Sequence, residues 1–230
     1  MEFKSDIEVS LVQSVGDDWT IAKAAWVSTG AAEGKMSADM EGLIRYLMKH
    51  KHGTPFEHAS MTFLVNAPIF VWREWHRHRI GFSYNEESAR YKQLDPVFYM
   101  PRLNRPMMKV DGWKPGRPKF TLAAEGVHTK LCMNLQTSYV MAYEQYESNL
   151  RLGIDPGLAR DCLPVGIFSA CWVTCNPRSL MAFLNLRTSD GGTSYPLYEI
   201  EVAAKKCEMI FADRFPVTHT AFVENNRIAP

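Results

Sequence analysis

The stretch WREWHRHRIGFSYNEESARY, residues 72–91, gathers groups able to hold and polarise a small anionic ring compound. Four arginines (Arg73, Arg77, Arg79, Arg90), two histidines (His76, His78) and the carboxylates Glu74, Glu86 and Glu87 stand among aromatic residues. A guanidinium fork pairs bidentately with phosphate and stacks on a ring face. Asn85, Ser83 and Ser88 add directional hydrogen bonds. A charged run is ordinarily a solvated helix face. Here tryptophans interrupt the charges, and a serine and asparagine segment follows where glycine would close a surface helix. These features point to a ligand site.

Other chemistries find poorer support. A backbone phosphate cradle needs GxxxxGK[ST] or GxGxxG before a helix, and neither occurs, so any phosphate must be held by side chains. His76 and His78, with His52 and His58, are the candidate metal ligands. On a helix, however, His-x-His sends its rings to different faces, and the arginines flanking His78 repel a cation. No metal is expected. Cys162, two residues after Arg160, is the one candidate for an electropositive, accessible thiol, but burial as a small hydrophobe is a cysteine's ordinary fate. Trp75, Phe82 and Tyr84 could stack nucleic-acid bases beside the arginines. Against this, Lys and Arg number 26 and Asp and Glu 25, so the arginine surplus is local to a site and no nucleic-acid partner is expected. The expected ligand is a small phosphorylated ring compound, with a second ring stacked on it.

The elements positioning these residues follow from local signals. Residues 7–15 alternate as a strand. Asp17 and Asp18 cap a helix through about Val27, and Ser37 opens another with Met40, Leu43, Ile44, Leu47 and Met48 on one face, stopped at Gly53. Residues 61–67 read as a strand, and Pro68 begins a helix bearing the arginines, with Arg73 and Arg77 sharing a face. The turn after Arg79 delivers residues 83–91 as a loop. Residues 101–119, rich in Pro, Gly and Lys, read as a surface excursion. A long helix then carries Leu131, Leu135, Tyr139, Ala142, Tyr146 and Leu150 as its stripe. Asp155-Pro156 starts a short helix, 167–175 is a central strand, and Asn176-Pro177 starts a helix to Arg187. Residues 196–215 form a last amphipathic helix.

Few strands and dominant helices, without regular alternation, predict an α+β fold: helices around a small central sheet, in one domain over residues 1–230. The five cysteines form no CxxC. With no signal peptide and no apolar run of spanning length, the expected location is the cytoplasm, with no membrane partner.

Arg77-His78-Arg79, followed by Asn85-Glu86-Glu87-Ser88-Ala89-Arg90-Tyr91, resembles the signature of the flavin-dependent thymidylate synthases: Arg-His-Arg, seven residues, then Ser, in an NExSxRY setting. The likeness continues in HGTPFEH (52–58), and in Asn176-Pro177-Arg178-Ser179-Leu180 through FLNLR (183–187). It implies a homotetramer of the thymidylate synthase-complementing-protein fold that converts dUMP to dTMP. Methylenetetrahydrofolate would supply the carbon, NADPH the reducing equivalents, and FAD would carry the hydride. By the same likeness Ser28, Thr54, Glu57, Arg77, His78, Arg79 and Ile80 contact FAD, with Asn176 and Arg178 added from another chain. Glu74, Arg77, Glu86, Glu87, Ser88, Arg90, Arg160 and Arg187 hold dUMP. Arg90 and Arg160 suit its phosphate, and Ser88 orients substrate rather than attacking it. Arg187 is the catalytic residue, beside the uracil and favouring an ionised N3. A non-catalytic nucleotide- or RNA-binding protein, or a nucleotide hydrolase or transferase without flavin, would use the same arginines.

The chain departs from the pattern at three places. Eight residues separate Arg79 from Ser88, Gly191 stands where the family often has histidine, and Ala182 where it often has an amide.

Overall fold

A computed structural model of the chain describes residues 1–30, 35–191 and 194–230. In order it contains β1 (Glu2–Lys4), β2 (Glu8–Val15), α1 (Asp18–Trp26), α2 (Ser37–Lys49), β3 (Ser60–Pro68), α3 (Ile69–Trp75), β4 (Phe82–Glu86) and β5 (Val97–Tyr99). There follow β6 (Met108–Lys109), β7 (Phe120–Thr121), α4 (Glu125–Arg151), α5 (Pro156–Ala159), β8 (Phe168–Cys175), α6 (Pro177–Arg187), α7 (Tyr198–Arg214) and α8 (Pro216–Glu224). Strands β2, β3, β8 and β4 form a sheet in that order, β1 pairs with β5 in parallel (Phe3 opposite Phe98), and β6 with β7 antiparallel. The mixture of helices and small sheets is α+β, and the apolar β8 takes an interior place in its sheet, as its composition predicts.

Side-chain caps open three of the helices. The Asp17 side chain accepts from Thr20 N at 2.8 Å and opens α1. Asn176 Oδ1 accepts from Ser179 N at 2.8 Å and opens α6 ahead of Pro177. Asp155 does the same for α5.

Two expectations need correction. Helix α3 stops at Trp75, so Arg77 and His78 lie on a turn and the Arg73/Arg77 helical pair does not form. His78 N donates to Trp75 O at 2.9 Å, and Tyr84 Oη donates to His78 O at 2.5 Å, which closes the turn instead of continuing the helix. Residues 83–86, within the 83–91 stretch expected as loop, belong to strand β4, with Phe82, Tyr84 and Glu86 alternating inward.

The chain divides into two compact units. The first comprises Met1–Ile7, Asn66–Glu74 and Glu86–Cys171. Its core is aromatic: Phe98 stacks on Tyr139 at 4.7 Å, and Tyr143 meets Phe98 and Tyr146 edge-on. The buried stripe of α4 thus runs Tyr139, Tyr143, Tyr146, with Tyr143 taking the inward place expected for Ala142. The second unit comprises Glu8–Val65, Trp75–Asn85 and Trp172–Pro230. In it α6 packs on α7, α7 on α8 and β2, and α1 on α2. Asp18, buried in α1, accepts from the backbone N of Val217 and Thr218 at 2.9 Å each and so caps α8.

Candidate active site

In the first unit a cavity of about 310 Å³ is lined by Ile69, Glu86, Glu87, Arg160, Leu163 and Ser169, among others. Strand β8 fixes its acidic wall. Ser169 Oγ donates to Glu86 Oε1 at 2.6 Å, and Ala170 N donates to Glu87 Oε1 at 2.9 Å, while Glu87 N returns a bond to Ala170 O at 2.9 Å. Lys92 Nζ lies 2.7 Å from Glu87 Oε2. Arg160 enters from the turn after α5. Arg90 lies close to the same short helix, its Cγ 3.6 Å from where a Cβ on Gly157 would stand. The Arg160 guanidinium and the oriented carboxylates on one cavity suit a phosphorylated molecule that also offers hydroxyl or N–H donors.

The segment carrying Ser88 and Arg90 is buckled to α4. Tyr143 Oη donates to Leu94 O at 2.7 Å, Leu94 N donates to Tyr146 Oη at 3.3 Å, and Gln93 Nε2 donates to Tyr143 Oη at 3.0 Å. Ser88 Oγ accepts from Arg90 N at 3.3 Å, and among the described residues it meets no histidine or carboxylate that would make it a nucleophile.

In the second unit a cleft of about 470 Å³ is lined by Glu57, Ile80, Gly81, Asn176, Arg178, Ser179 and the backbone neighbours Ala229 and Pro230. Arg178 bridges it, with Nη1 on Glu57 Oε1 at 2.6 Å and Nε on Pro230 O at 2.8 Å. Gly81 takes a left-handed φ of +69°, and a Cβ there would collide with Ser179 Oγ and approach Asn176 Nδ2 to 2.9 Å. The turn can therefore lie against the start of α6 only with glycine at this position.

Beside that turn, Arg187 Nε donates to His78 Nε2 at 2.9 Å, leaving the ring's single proton on Nδ1. His78 packs edge-on against Phe183 at 4.9 Å, and Phe183 stacks on Trp75 at 4.8 Å. Burial, and then the Arg187 charge, hold the His78 imidazole down to about 4. It is neutral at physiological pH.

The residues implied in FAD binding (Ser28, Thr54, Glu57, Arg77, His78, Arg79, Ile80, Asn176, Arg178) all fall in the second unit. Of those implied in dUMP binding, Glu74, Glu86, Glu87, Ser88, Arg90 and Arg160 fall in the first, and Arg77 and Arg187 in the second. The structure brings Glu86, Glu87 and Arg160 onto one cavity, and Glu57, Ile80, Asn176 and Arg178 onto one cleft within a single chain, where Asn176 and Arg178 were expected to join the others from another chain. Arg77, Arg79 and Thr54 are exposed and do not line the cleft. Ser28, also exposed, donates to Ala25 O at the end of α1. Ser169 and Tyr143 were not signalled by the sequence motifs, because each acts through a partner remote in the chain. Among the described residues no group of three His, Cys, Asp or Glu side chains is placed to hold a metal ion, and no helix is long and apolar enough to cross a membrane.

The family model described as thymidylate synthase complementing protein matches residues 10–217. The chain is 45% identical over 238 residues to the flavin-dependent thymidylate synthase of Streptomyces coelicolor, covering 100% of this chain and 96% of the relative. It is 43% identical to the flavin-dependent thymidylate synthase of Tropheryma whipplei, covering 99% and 97%. The crystal structure of the UMP/dUMP methylase PolB from Streptomyces cacaoi, bound with 5-Br UMP, superposes with a TM-score of 0.92 at 43% identity over 100% of both chains. The family model spans most of the chain and these relatives match it over nearly its whole length: the chain belongs to the thymidylate synthase complementing protein family of flavin-dependent thymidylate synthases.

Proposed function

We propose that this protein is an FAD-dependent thymidylate synthase that converts dUMP to dTMP. Methylenetetrahydrofolate supplies the carbon and NADPH the reducing equivalents. Residues 1–230 act as one domain in a cytoplasmic homotetramer. The observation that carries the reading is the Arg187–His78 contact: a guanidinium aimed by a neutral ring, which does not cancel its charge.

The cleft fits FAD by its donor set. Arg178 suits a pyrophosphate and the Asn176 amide suits a polar ring edge, and the exposed Arg77 and Arg79 join them by family likeness. His78 and Ile80 stand on the same turn as Arg79, and Ser28, Thr54 and Glu57 complete the set by family likeness. Bound FAD supplies the hydride chemistry, for which the protein provides orientation and electrostatics.

The chain's own residues divide the remaining work. Arg90 and Arg160 hold the dUMP phosphate. Glu86 and Glu87, fixed by Ser169 and Ala170 N, accept from sugar hydroxyl or ring N–H groups, and Glu74 and Arg77 complete the nucleotide contacts. Ser88 orients the substrate. Arg187 favours negative charge on the uracil as it is polarised, as a preorganised cation does in a site with restricted water. Burial raises the thiols of Cys132, Cys175 and Cys207, away from thiolate, whereas Cys162, expected to be buried, is exposed and its Sγ donates to the Ala142 and Ala159 carbonyls.

Purified protein should be yellow, sediment as a tetramer, and form dTMP from dUMP with both co-substrates present. UMP is assayed in parallel, because the structural relative PolB is a UMP/dUMP methylase. Colourless protein that forms no dTMP yet binds oligonucleotides with steep salt dependence would replace this reading with the nucleic-acid-binding one.

A further inference from the structure

Residues 225–230 follow α8 and reach both ends of α6. Asn226 and Arg227 take left-handed backbone in succession, with φ of +54° and +58°. Residues bearing a Cβ keep that conformation only where their surroundings over-determine it. Here the Arg227 side chain does so. It is nearly enclosed, and its Nη1 and Nη2 donate to Glu208 Oε1 and Oε2 at 2.7 Å each. Nη2 also donates to Thr188 Oγ1 at 3.1 Å.

Both partners are fixed. Glu208, on α7, is met by His219 Nε2 at 3.0 Å. Burial alone would raise its carboxyl, but hydrogen bonds from His219 and Arg227 override this and hold it at about 2, so the pair is charged at neutral pH. Thr188 is fully buried and ends α6, its N–H and Oγ1 both donating to Leu184 O at 3.0 and 2.8 Å. It follows Arg187 directly. Three residues beyond Arg227, the same segment lays the Pro230 carbonyl on Arg178 Nε at the other end of the helix.

A buried ion pair commonly gives little net stability over apolar packing of the same volume, so fixed geometry is the better account of its presence. We propose that Arg227 is a positioning residue: acting through Thr188, it sets the last turn of α6 and thereby the aim of the Arg187 guanidinium. The proposal rests on the catalytic reading of Arg187 given above, and Arg227 itself touches no substrate in it.

Two threonine variants test it in the flavin-loaded protein. Thr188→Val keeps the shape but removes the hydroxyl that accepts from Arg227, whereas Thr188→Ser keeps the hydroxyl. The valine variant should retain flavin and dUMP affinity while kcat falls by about tenfold to a hundredfold, the scale of a small misplacement of a catalytic group. The serine variant should restore kcat. Arg227→Met should follow the valine variant, and if it does not fold the threonine pair decides alone. An independent readout is the NMR titration of His78: displacing Arg187 removes one cause of its low midpoint, which should move up from about 4 toward 6.5.

A lowered melting temperature with kcat and the His78 midpoint unchanged overturns the proposal and leaves Arg227 a stabilising residue. Arg187→Lys, measured alongside, separates the two readings. Normal turnover in that variant sinks the catalytic role of Arg187, while the His78 midpoint in Thr188→Val still decides whether Thr188 and Arg227 aim it.

Discussion

Arg187 Nε and His78 Nε2 lie 2.9 Å apart, and the imidazole is the acceptor. That bond exists only while His78 is neutral, and burial followed by the Arg187 charge sets its pKa near 4 against an ordinary 6.5. Between those values the unfolded chain binds a proton that the folded chain excludes, so stability rises with pH. The His78 contribution is complete above about 6.5 and is lost as pH falls toward 4. Glu208, held at about 2 against 4.5, loses its contribution only at lower pH, so the two windows separate. Urea midpoints measured from pH 7 to pH 4.5 should fall in the unmodified protein. They should fall less in His78→Gln, whose amide can accept the bond without titrating. Equal slopes for the two proteins would remove His78 as the group responsible.

Arg187 has a simpler role to be distinguished from catalysis. As a cation in the last turn of α6 it is favoured by the helix dipole, worth about 0.3–1 kcal/mol. Arg187→Lys keeps that term and the charge but loses the planar fork. The variant should fold, tetramerise and stay yellow, with a melting temperature within a few degrees of the unmodified protein, while turnover collapses. Near-normal dTMP formation at saturating dUMP would reduce Arg187 to a helix-end cation.

The division of site residues between the two units gives a third expectation. Arg160→Ala removes a guanidinium from the first-unit cavity and should weaken dUMP binding while flavin content holds. Loss of a charge-assisted hydrogen bond costs about 1.5–3 kcal/mol, or about tenfold to a hundredfold in affinity. Arg178→Ala, in the second-unit cleft, should instead release flavin, read as visible absorbance per mole of protein. If both variants lost flavin equally and bound dUMP equally, the assignment of the residues would be wrong even within the right family.

What was legible in the sequence was local. Asn176-Pro177 and Asp155-Pro156 announce helix starts because a cap and a fixed φ act within one turn. Sequence motifs likewise marked Glu86 and Glu87, which line one pocket, and Asn176 and Arg178, which line another. The early stop of α3 was hidden, because Tyr84, six residues beyond His78, supplies the bond that closes the turn. Strand β4 was hidden for a related reason: its place beside β8 is a pairing across more than eighty residues, which no local propensity encodes. The Arg227–Glu208–Thr188 cluster left no signal either, since two left-handed residues without glycine depend wholly on the side chains they place.

The extra residue between Arg79 and Ser88 leads to the last prediction. The interval begins with a turn at Gly81, left-handed and at the edge of the cleft, and enters β4 at Phe82. Gly81→Ala meets two penalties there. A left-handed backbone costs an alanine about 1–2 kcal/mol, and its Cβ would press on Ser179 Oγ and Asn176 Nδ2, the cap that opens α6. Gly153, just past α4 with φ +78°, offers a control, because a Cβ there meets nothing within 4 Å. Gly153→Ala should lose only the backbone term and keep its flavin. Gly81→Ala should lose more stability and release flavin as well, since Asn176 and Arg178 move with the cap. Denaturant melts and bound-flavin absorbance for the two variants compare these directly. Equal destabilisation with full flavin retention would show that the turn at Gly81 is not coupled to the cleft.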